Sequence, residues 1–388
     1  MEEVREHKFI IIGADNLNTL GILRSLSEEG LQPYIILSAD LGSEFVRNSK
    51  WAKKIILSQS VSQNYNILMS SFGEESKKPF LFATDDANEQ MLDEHYEDLK
   101  NRFFFYNAGC NGRVSKYMYK NEICDLAKMV GLKVARYEVV DLGVLPHSIN
   151  YPIITKTLDP NMPGWKKDVH ICNSADELSA AYKKMISPKL FLQEYIEKKN
   201  EMPIHGFSCN GGQDVYLAFY SLYYRMEKDN FGFYNYYKPM RDKELTEKVS
   251  MMIKSIGFSG CFEAEFLVDN NGDLFFLEIN LRSSMRSYAC TFGGVNLPLL
   301  WCKSMLNNKI DRESISIGKD FFTAMYEPGD YAQFVATKKI SYFQWFMEMF
   351  KSDLKFLYNK YDRKPAIKYW GNALIDMLKY KFKFGKKE

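Results

Sequence analysis

Residues 261–282 read CFEAEFLVDNNGDLFFLEINLR, and apolar and polar residues alternate on both sides of an Asn-Gly pair. Asn-Gly between two alternating runs is the strongest short-range signal for a β-hairpin. We predict a two-residue turn at Asn271-Gly272, flanked by Asn270 and Asp273. This turn sets Glu265 directly opposite Glu278.

Two carboxylates that face each other across a hairpin have Cβ atoms about 4.5 to 5.5 Å apart and repel unless a cation offsets them. Asn280 follows Glu278 by two residues and therefore shares its face of the strand. Carboxylate and amide oxygens suit Mg²⁺ or Mn²⁺, with nucleotide phosphates completing the shell. The pattern predicts a metal site formed by Glu265, Glu278 and Asn280. A solvated outer face of a hairpin is the alternative.

The residues that follow the hairpin add a positive charge to this face. Arg282 lies two positions beyond Asn280, and residues 293–300 continue as GGVNLPLL. A cation beside a metal site is what phosphate chemistry requires.

Composition limits the class of protein. The 388 residues are 46% hydrophobic and carry a net charge of +2, which is typical of a globular protein of two or three domains and gives no reason to expect nucleic acid as a partner. Seven cysteines occur without a C-x-x-C motif, and no apolar run approaches the length of a membrane span. We therefore expect a cytoplasmic protein without a zinc site.

The first part of the chain predicts a parallel sheet. Residues 8–38 have the pattern of a strand, a helix that stops at Gly30, and a second strand. Gly13 alone follows the first strand, so the pattern favours a structural or substrate-presenting domain over a dinucleotide site. Asp85 and Asp86 end a further strand, where they face a ligand or cap the next helix.

From about Ser115 the pattern becomes α+β. It predicts a helix from Ser115 to Gly131, a capping box at Ser174 and Glu177, and several strands. The predicted strands are 151–160, 189–197, 214–226 and 231–239. Beyond Gly318 the chain is helical and basic, which is consistent with a packed helical pair or with weak contact to an acidic membrane surface.

Over residues 8 to 310 these motifs resemble the ATP-grasp superfamily, in which a Glu on one strand precedes Glu-x-Asn-x-Arg on the next. The chain is most similar to the carboxylate-amine ligase branch that includes D-aspartate ligase. The resemblance implies an α/β plus α+β fold with four regions: a pre-ATP-grasp parallel-sheet domain, a small lobe, a large lobe with the hairpin, and a helical tail. The expected bounds are 1–112, 113–188, 189–318 and 319–388.

The resemblance also implies a role for individual residues in binding ATP and Mg²⁺ or Mn²⁺. Lys120 and Lys156 match the two phosphate lysines, and Lys156 stands in an apolar strand where an unpaired lysine is costly. Gln193, Glu194, Tyr195 and Ile196 match the hinge that reads adenine through its main chain. Glu201 or Glu197 holds the ribose, and Arg282 contacts phosphate. The loop that covers the phosphates contains one glycine, Gly164, so Lys166 and Lys167 are expected to act by charge.

The implied reaction has two steps: a carboxylate takes the γ-phosphate of ATP to give an acyl phosphate, and an amine then displaces phosphate. Arg286 and Arg225 are candidates for gripping the carboxylate. One of the two substrates is expected to be an amino acid. A kinase-like phosphotransferase and an ATP-binding module without turnover are the alternatives, and the oligomeric state is not specified by the sequence.

Overall fold

The computed structural model describes residues 2–42, 44–158, 164–227 and 232–384. Over these ranges the chain forms three β-sheets of five, four and seven strands. The first five residues of the predicted phosphate-covering loop, 159–163, lie outside the described residues. The end of the strand expected at 151–160 and the first residue of the one expected at 231–239 also lie outside them.

The N-terminal sheet is parallel throughout, with strand order β3-β2-β1-β4-β5. Strand β1 is almost wholly apolar because helices cover both faces of a parallel sheet. The predicted strand-helix-strand unit is confirmed as β1, α2 and β2. The strands are β1 Phe9–Asp15, β2 Tyr34–Gly42, β3 Lys54–Ser58, β4 Phe80–Ala83 and β5 Phe104–Phe105. The helices are α1 Glu2–Arg5, α2 Leu17–Ser27, α3 Val61–Phe72, α4 Asp86–Glu94 and α5 Tyr96–Leu99.

The small sheet is antiparallel, with order β6-β9-β7-β8. Its elements are α6 Arg113–Met118, α7 Lys120–Met129, β6 Tyr137–Asp141, β7 Ile153–Thr157, β8 Ile171–Cys172, α8 Ala175–Tyr182 and β9 Lys189–Glu194. The single helix expected from Ser115 is wrong, because extended backbone at Tyr119 (ψ 129°) separates α6 from α7. This break makes Lys120 the first residue of α7. The Ser174 cap is confirmed, with the Glu177 amide donating to its hydroxyl.

The large sheet has the order β14-β13-β10-β11-β12-β15-β16. It begins with β10 Lys198–Cys209, β11 Asp214–Arg225, β12 Tyr234–Pro239, α9 Lys243–Ile256, β13 Gly260–Asp269, β14 Leu274–Asn280, α10 Ser287–Phe292 and α11 Leu297–Asn307. The aromatic strands β11 and β12 pair antiparallel, as expected. Trp301 of α11 is fully buried and packs edge-on against Phe82 and Tyr106, which joins the N-terminal sheet to the large lobe.

The C-terminal region supplies β15 Phe322–Met325, α12 Glu327–Asp330, α13 Tyr342–Lys351, β16 Leu354–Lys355 and α14 Lys364–Phe384. The expected helical tail also contains two short strands, β15 and β16, which extend the large sheet. Strand β9, assigned from sequence to the large lobe, pairs instead with β6 and β7. None of the described helices combines the length and apolarity needed to cross a bilayer.

Candidate active site

The hairpin brings its two carboxylates together as predicted, but by a different route. The loop has three residues, with Asp273 carbonyl oxygen accepting from the Asp269 amide and Gly272 at φ +87°. A β-bulge then shifts the register by one residue between the pairs Glu265–Glu278 and Phe266–Phe276, with the extra residue on β14. The two departures compensate, and Glu265 pairs directly with Glu278.

Negative charge is concentrated on this face of the hairpin. The Asn280 amide nitrogen donates to Glu265 Oε1 at 2.9 Å, so the three predicted metal residues are adjacent. Burial, together with the charges of Glu263 and Glu278, raises the pKa of Glu265 well above its usual value. A divalent cation would offset this repulsion, so the donor set fits Mg²⁺.

The protein's own ligands do not complete a metal shell. Among the described residues, no group of three or more His, Cys, Asp or Glu side chains is arranged to hold a metal ion. Two carboxylates and one amide leave room for oxygens from another source. Phosphate oxygens of a nucleotide match that requirement.

Two lysines of the small lobe approach the hairpin from the other side. Lys120 Nζ lies 3.3 Å from Glu278 Oε2, and Lys156 Nζ donates to Gln193 Oε1 at 3.1 Å. Burial and the nearby Lys120 charge lower the pKa of Lys156 to about 8. An anion between the lobes would favour the charged form of Lys156.

The predicted adenine hinge follows β9. The backbone amides of Glu194 and Tyr195 donate to the carbonyls of Arg136 and Pro152, at 2.8 and 2.9 Å. The Glu194 carboxylate accepts from the Asn150 amide and pairs with Arg136. The Glu194 and Tyr195 amides are therefore already used within the protein. The adenine-reading role of the hinge, including Gln193 and Ile196, stays a prediction.

Glu201, predicted to hold the ribose, is buried on β10. Its Oε1 pairs with Lys198 Nζ at 2.5 Å, and its Oε2 accepts from the Tyr223 hydroxyl at 2.9 Å. Glu197, the other candidate, is exposed. Lys166 is also exposed and belongs to a short 3₁₀-helix at Trp165–Asp168. The nucleotide roles of Glu201 and Lys166 stay predictions.

Arg282 reaches the N-terminal domain. Its guanidinium makes two hydrogen bonds to the Asp86 carboxylate, at 2.5 and 3.2 Å. Asp85 caps α4 through the Asn88 amide. The capping role therefore belongs to Asp85, and Asp86 links the N-terminal domain to the end of β14.

Arg286 enters a buried polar cluster that the sequence reading missed. Its guanidinium lies 3.3 Å from Glu263 Oε1 and donates to the Tyr223 hydroxyl at 3.0 Å. His205 Nδ1 is 3.1 Å from the other oxygen of Glu263, and Ser284 donates to the same oxygen. Burial disfavours the Glu263 charge, but Arg286 and His205 outweigh burial and hold its pKa well below the usual value.

A signal for Glu263 was present in the sequence, because it lies two residues before Glu265 and shares its face of β13. Tyr223 and His205 carried no comparable signal. Arg225, a candidate for gripping substrate, pairs instead with Asp330 and Glu348 of the C-terminal region. This pairing gives Arg225 a structural role, and its role in gripping a carboxylate stays a prediction.

The fold places the chain among known proteins. No protein-family model matches it. The L-amino acid ligase of Bacillus licheniformis aligns with a TM-score of 0.63 at 13% identity, covering 82% of this chain and 79% of that one. Biotin carboxylase of Campylobacter jejuni gives 0.64 at 17% identity, with 83% and 76% covered. The chain has the ATP-grasp fold.

A curated relative matches part of the sequence. N5-carboxyaminoimidazole ribonucleotide synthase of Staphylococcus aureus (strain COL) is 26% identical over 161 residues, which is 40% of this chain. The match spans 42% of the relative's length. The solved N5-carboxyaminoimidazole synthetase of Staphylococcus aureus has a TM-score of 0.63 at 16% identity and covers 84% of both chains.

Proposed function

We propose that this chain is an ATP-dependent carboxylate-amine ligase that forms an amide bond through an acyl phosphate. The observation that carries the proposal is the charge arrangement between the lobes: Glu265 and Glu278 face Lys120 and Lys156. Acidic groups that need a cation stand beside cationic groups that need an anion. A metal-bound nucleotide phosphate satisfies both requirements.

Each group has a role in this proposal. Bound Mg²⁺ supplies charge neutralisation at the phosphates, held by Glu265, Glu278 and Asn280. Lys120 and Lys156 bind phosphate oxygens. The adenine edge is read by hinge carbonyls and by the Ile196 amide, because the Glu194 and Tyr195 amides are engaged.

Arg286 is the proposed grip for the substrate carboxylate. Its Nε is buried and has no hydrogen-bond partner among the described residues, so a donor remains beside Glu263 and Tyr223. A carboxylate bound there would accept from a fixed guanidinium. An amino acid as one substrate, and action in the cytoplasm, belong to the same proposal and follow from the resemblance to carboxylate-amine ligases.

The chemistry is balanced in two transfers. A carboxylate oxygen of the substrate bonds to the γ-phosphorus of ATP as the bond to ADP breaks. The amine nitrogen then bonds to the acyl carbon, inorganic phosphate leaves, and the amine loses a proton. These two steps need no side-chain nucleophile from the protein, since both acceptors are substrates.

The test is ADP release with ATP and Mg²⁺ against a panel of D- and L-amino acids and simple carboxylates. We expect turnover that depends on one such compound. It should fall by at least about 100-fold in Glu278→Gln, because a carboxylate ligand of the proposed Mg²⁺ site is lost. Glu244→Gln, an exposed glutamate on α9, is the matched control and should retain full activity.

Hydroxylamine separates the alternatives. A ligase gives an acyl hydroxamate because hydroxylamine traps the acyl phosphate. ADP release without hydroxamate would contradict the ligase assignment in favour of phosphoryl transfer to a hydroxyl. Magnesium-dependent ATP binding without ADP release across the panel would contradict it in favour of a binding module.

A further inference from the structure

Helix α13 presents large apolar side chains to solvent. Phe343 and Phe350 are each 73% exposed, Phe346 is 42% exposed and Met347 is 39% exposed. Their spacing places all four on one side of the helix. We refer to these four residues as the α13 stripe. Single exposed apolar residues are ordinary, but a contiguous stripe marks an interaction surface.

The stripe is not needed to hold α13 on the protein. The opposite face carries Trp345, which is 4% exposed and packs edge-on against Tyr331 at 5.2 Å. Glu348 on the inner side pairs with Arg225 of β11. The helix is therefore fixed by its inner face, and folding alone does not account for the aromatic outer face.

The neighbouring helix has a similar outer surface. Trp370 of α14 contacts Trp345 at a ring distance of 6.5 Å, so α14 meets the inner face of α13 at this point. Ile367 is 66% exposed and Leu374 is 54% exposed on α14. Helix α14 therefore adds exposed apolar side chains to the same C-terminal region of the protein.

A basic part of the chain begins directly after the stripe and includes α14. Residues 351–388 contain eleven Lys and Arg against four Asp and Glu, whereas the whole chain is close to neutral at +2. Lys351 follows the stripe directly, and Lys364 and Lys368 lie near Ile367 on α14; all three lysines are exposed. Aromatic side chains among exposed lysines are typical of a helix that lies in the plane of an anionic bilayer surface.

We propose that the α13 stripe and the outer face of α14 bind peripherally to an anionic lipid surface, with the aromatic rings at headgroup depth and the lysines at lipid phosphates. A second copy of the chain is a poorer occupant. A two-fold interface would bring the same basic region of both copies together, and like charges repel. This inference stands independently of the proposed ligase activity.

The test is co-sedimentation of the full-length protein with vesicles of phosphatidylglycerol and phosphatidylcholine, compared with phosphatidylcholine alone. We expect binding to the anionic vesicles that weakens with added salt, because exposed charges are screened. Phe343→Ser with Phe350→Ser should lower the vesicle affinity by at least about tenfold, because two rings that insert into the lipid surface are lost. Lys364→Gln with Lys368→Gln should also lower it.

A matched control removes exposed apolar residues elsewhere. Leu57 and Phe321 are 52% and 56% exposed and lie outside α13 and α14, so Leu57→Ser with Phe321→Ser should bind vesicles like the unmodified protein. Equal sedimentation of the stripe variant and the unmodified protein would overturn the proposal. So would an absence of vesicle binding together with a dimer, measured by light scattering, that the stripe variant dissociates.

Discussion

At the scale of single residues, the site depends on charges whose partners come from distant parts of the chain. Lys156 was recognisable because a lysine in an apolar strand needs a reason to be there. Its environment was not recognisable, since Gln193 and Lys120 approach it through pairing of β7 with β9 and through the start of α7. The depressed pKa of Lys156 is a consequence of that assembly.

The low pKa of Lys156 predicts a specific pH dependence of stability. The pKa of Lys156 is about 8 in the folded protein and 10.5 in the unfolded chain. Between pH 8 and pH 10.5, folding therefore releases a proton from this lysine. Lys156 destabilises the fold fully below pH 8, and this destabilisation is lost as the pH rises through that range. Relative to Lys156→Met, the unmodified protein should gain about 1 kcal/mol in free energy of unfolding between pH 7.5 and pH 9.5, after allowance for solvent screening. Urea unfolding at both pH values measures this difference.

The control is Lys189→Met, which removes an exposed lysine from β9 of the same sheet. Its free energy of unfolding should keep a constant offset from the unmodified protein over this pH range. A constant offset for Lys156→Met as well would show that Lys156 titrates alike in the folded and unfolded chains.

At the scale of elements, alternation predicted the strands of the hairpin well because each strand has one face toward the core. The turn type was wrong. An Asn-Gly pair also fits a three-residue loop with glycine in the left-handed region, and the choice depends on how the strands twist against β10. The bulge on β14 is likewise a property of the sheet and has no sequence signature of its own.

Replacing glycine by alanine should change the free energy of unfolding in opposite directions at two positions. Gly272 has φ +87° and open space around its Cβ position, so Gly272→Ala meets backbone strain alone and should lower the free energy of unfolding by about 1 kcal/mol. Gly371 lies within α14 with equally open space, so Gly371→Ala should raise it by up to about 1 kcal/mol through helix propensity. Urea unfolding of both variants tests the pair, and the same sign for both would contradict this account of the turn.

At the scale of the whole molecule, the C-terminal region is joined to the N-terminal domain by buried polar contacts. Arg24 of α2 is fully buried and donates to the carbonyls of Phe356 and Leu357, at 2.6 and 2.8 Å. Asp362 accepts from Ser49 and from the Lys50 amide. The N-terminal sheet and the tail therefore hold each other, although about 300 residues separate them in sequence.

Arg24→Met should reveal this connection. The substitution leaves two buried carbonyls without donors and Asp362 without its nearby charge, and we expect a loss of about 3 kcal/mol in free energy of unfolding. Proteolysis within residues 351–364 should become faster in the same variant. Arg5→Met is the matched control, since Arg5 donates to the Glu29 carbonyl at the surface, and it should change stability by less than about 0.5 kcal/mol. Equal effects of the two substitutions would contradict a structural role for the buried arginine.

The pairing of Glu265 with Glu278 is reached through a loop and a bulge that the sequence did not predict. The amino-acid sequence by itself was enough for the parallel N-terminal unit, the antiparallel pairing of the aromatic strands β11 and β12, and the two strands of the hairpin. These features follow from local periodicity, turn residues and strand alternation, which act between neighbours in the chain. The pairing of Arg282 with Asp86, the cluster around Glu263 and the addition of β15 and β16 to the large sheet depended on three-dimensional packing. Each joins segments distant in sequence, and the favourable partner of a buried charge is set by which groups the folded chain brings within hydrogen-bonding distance.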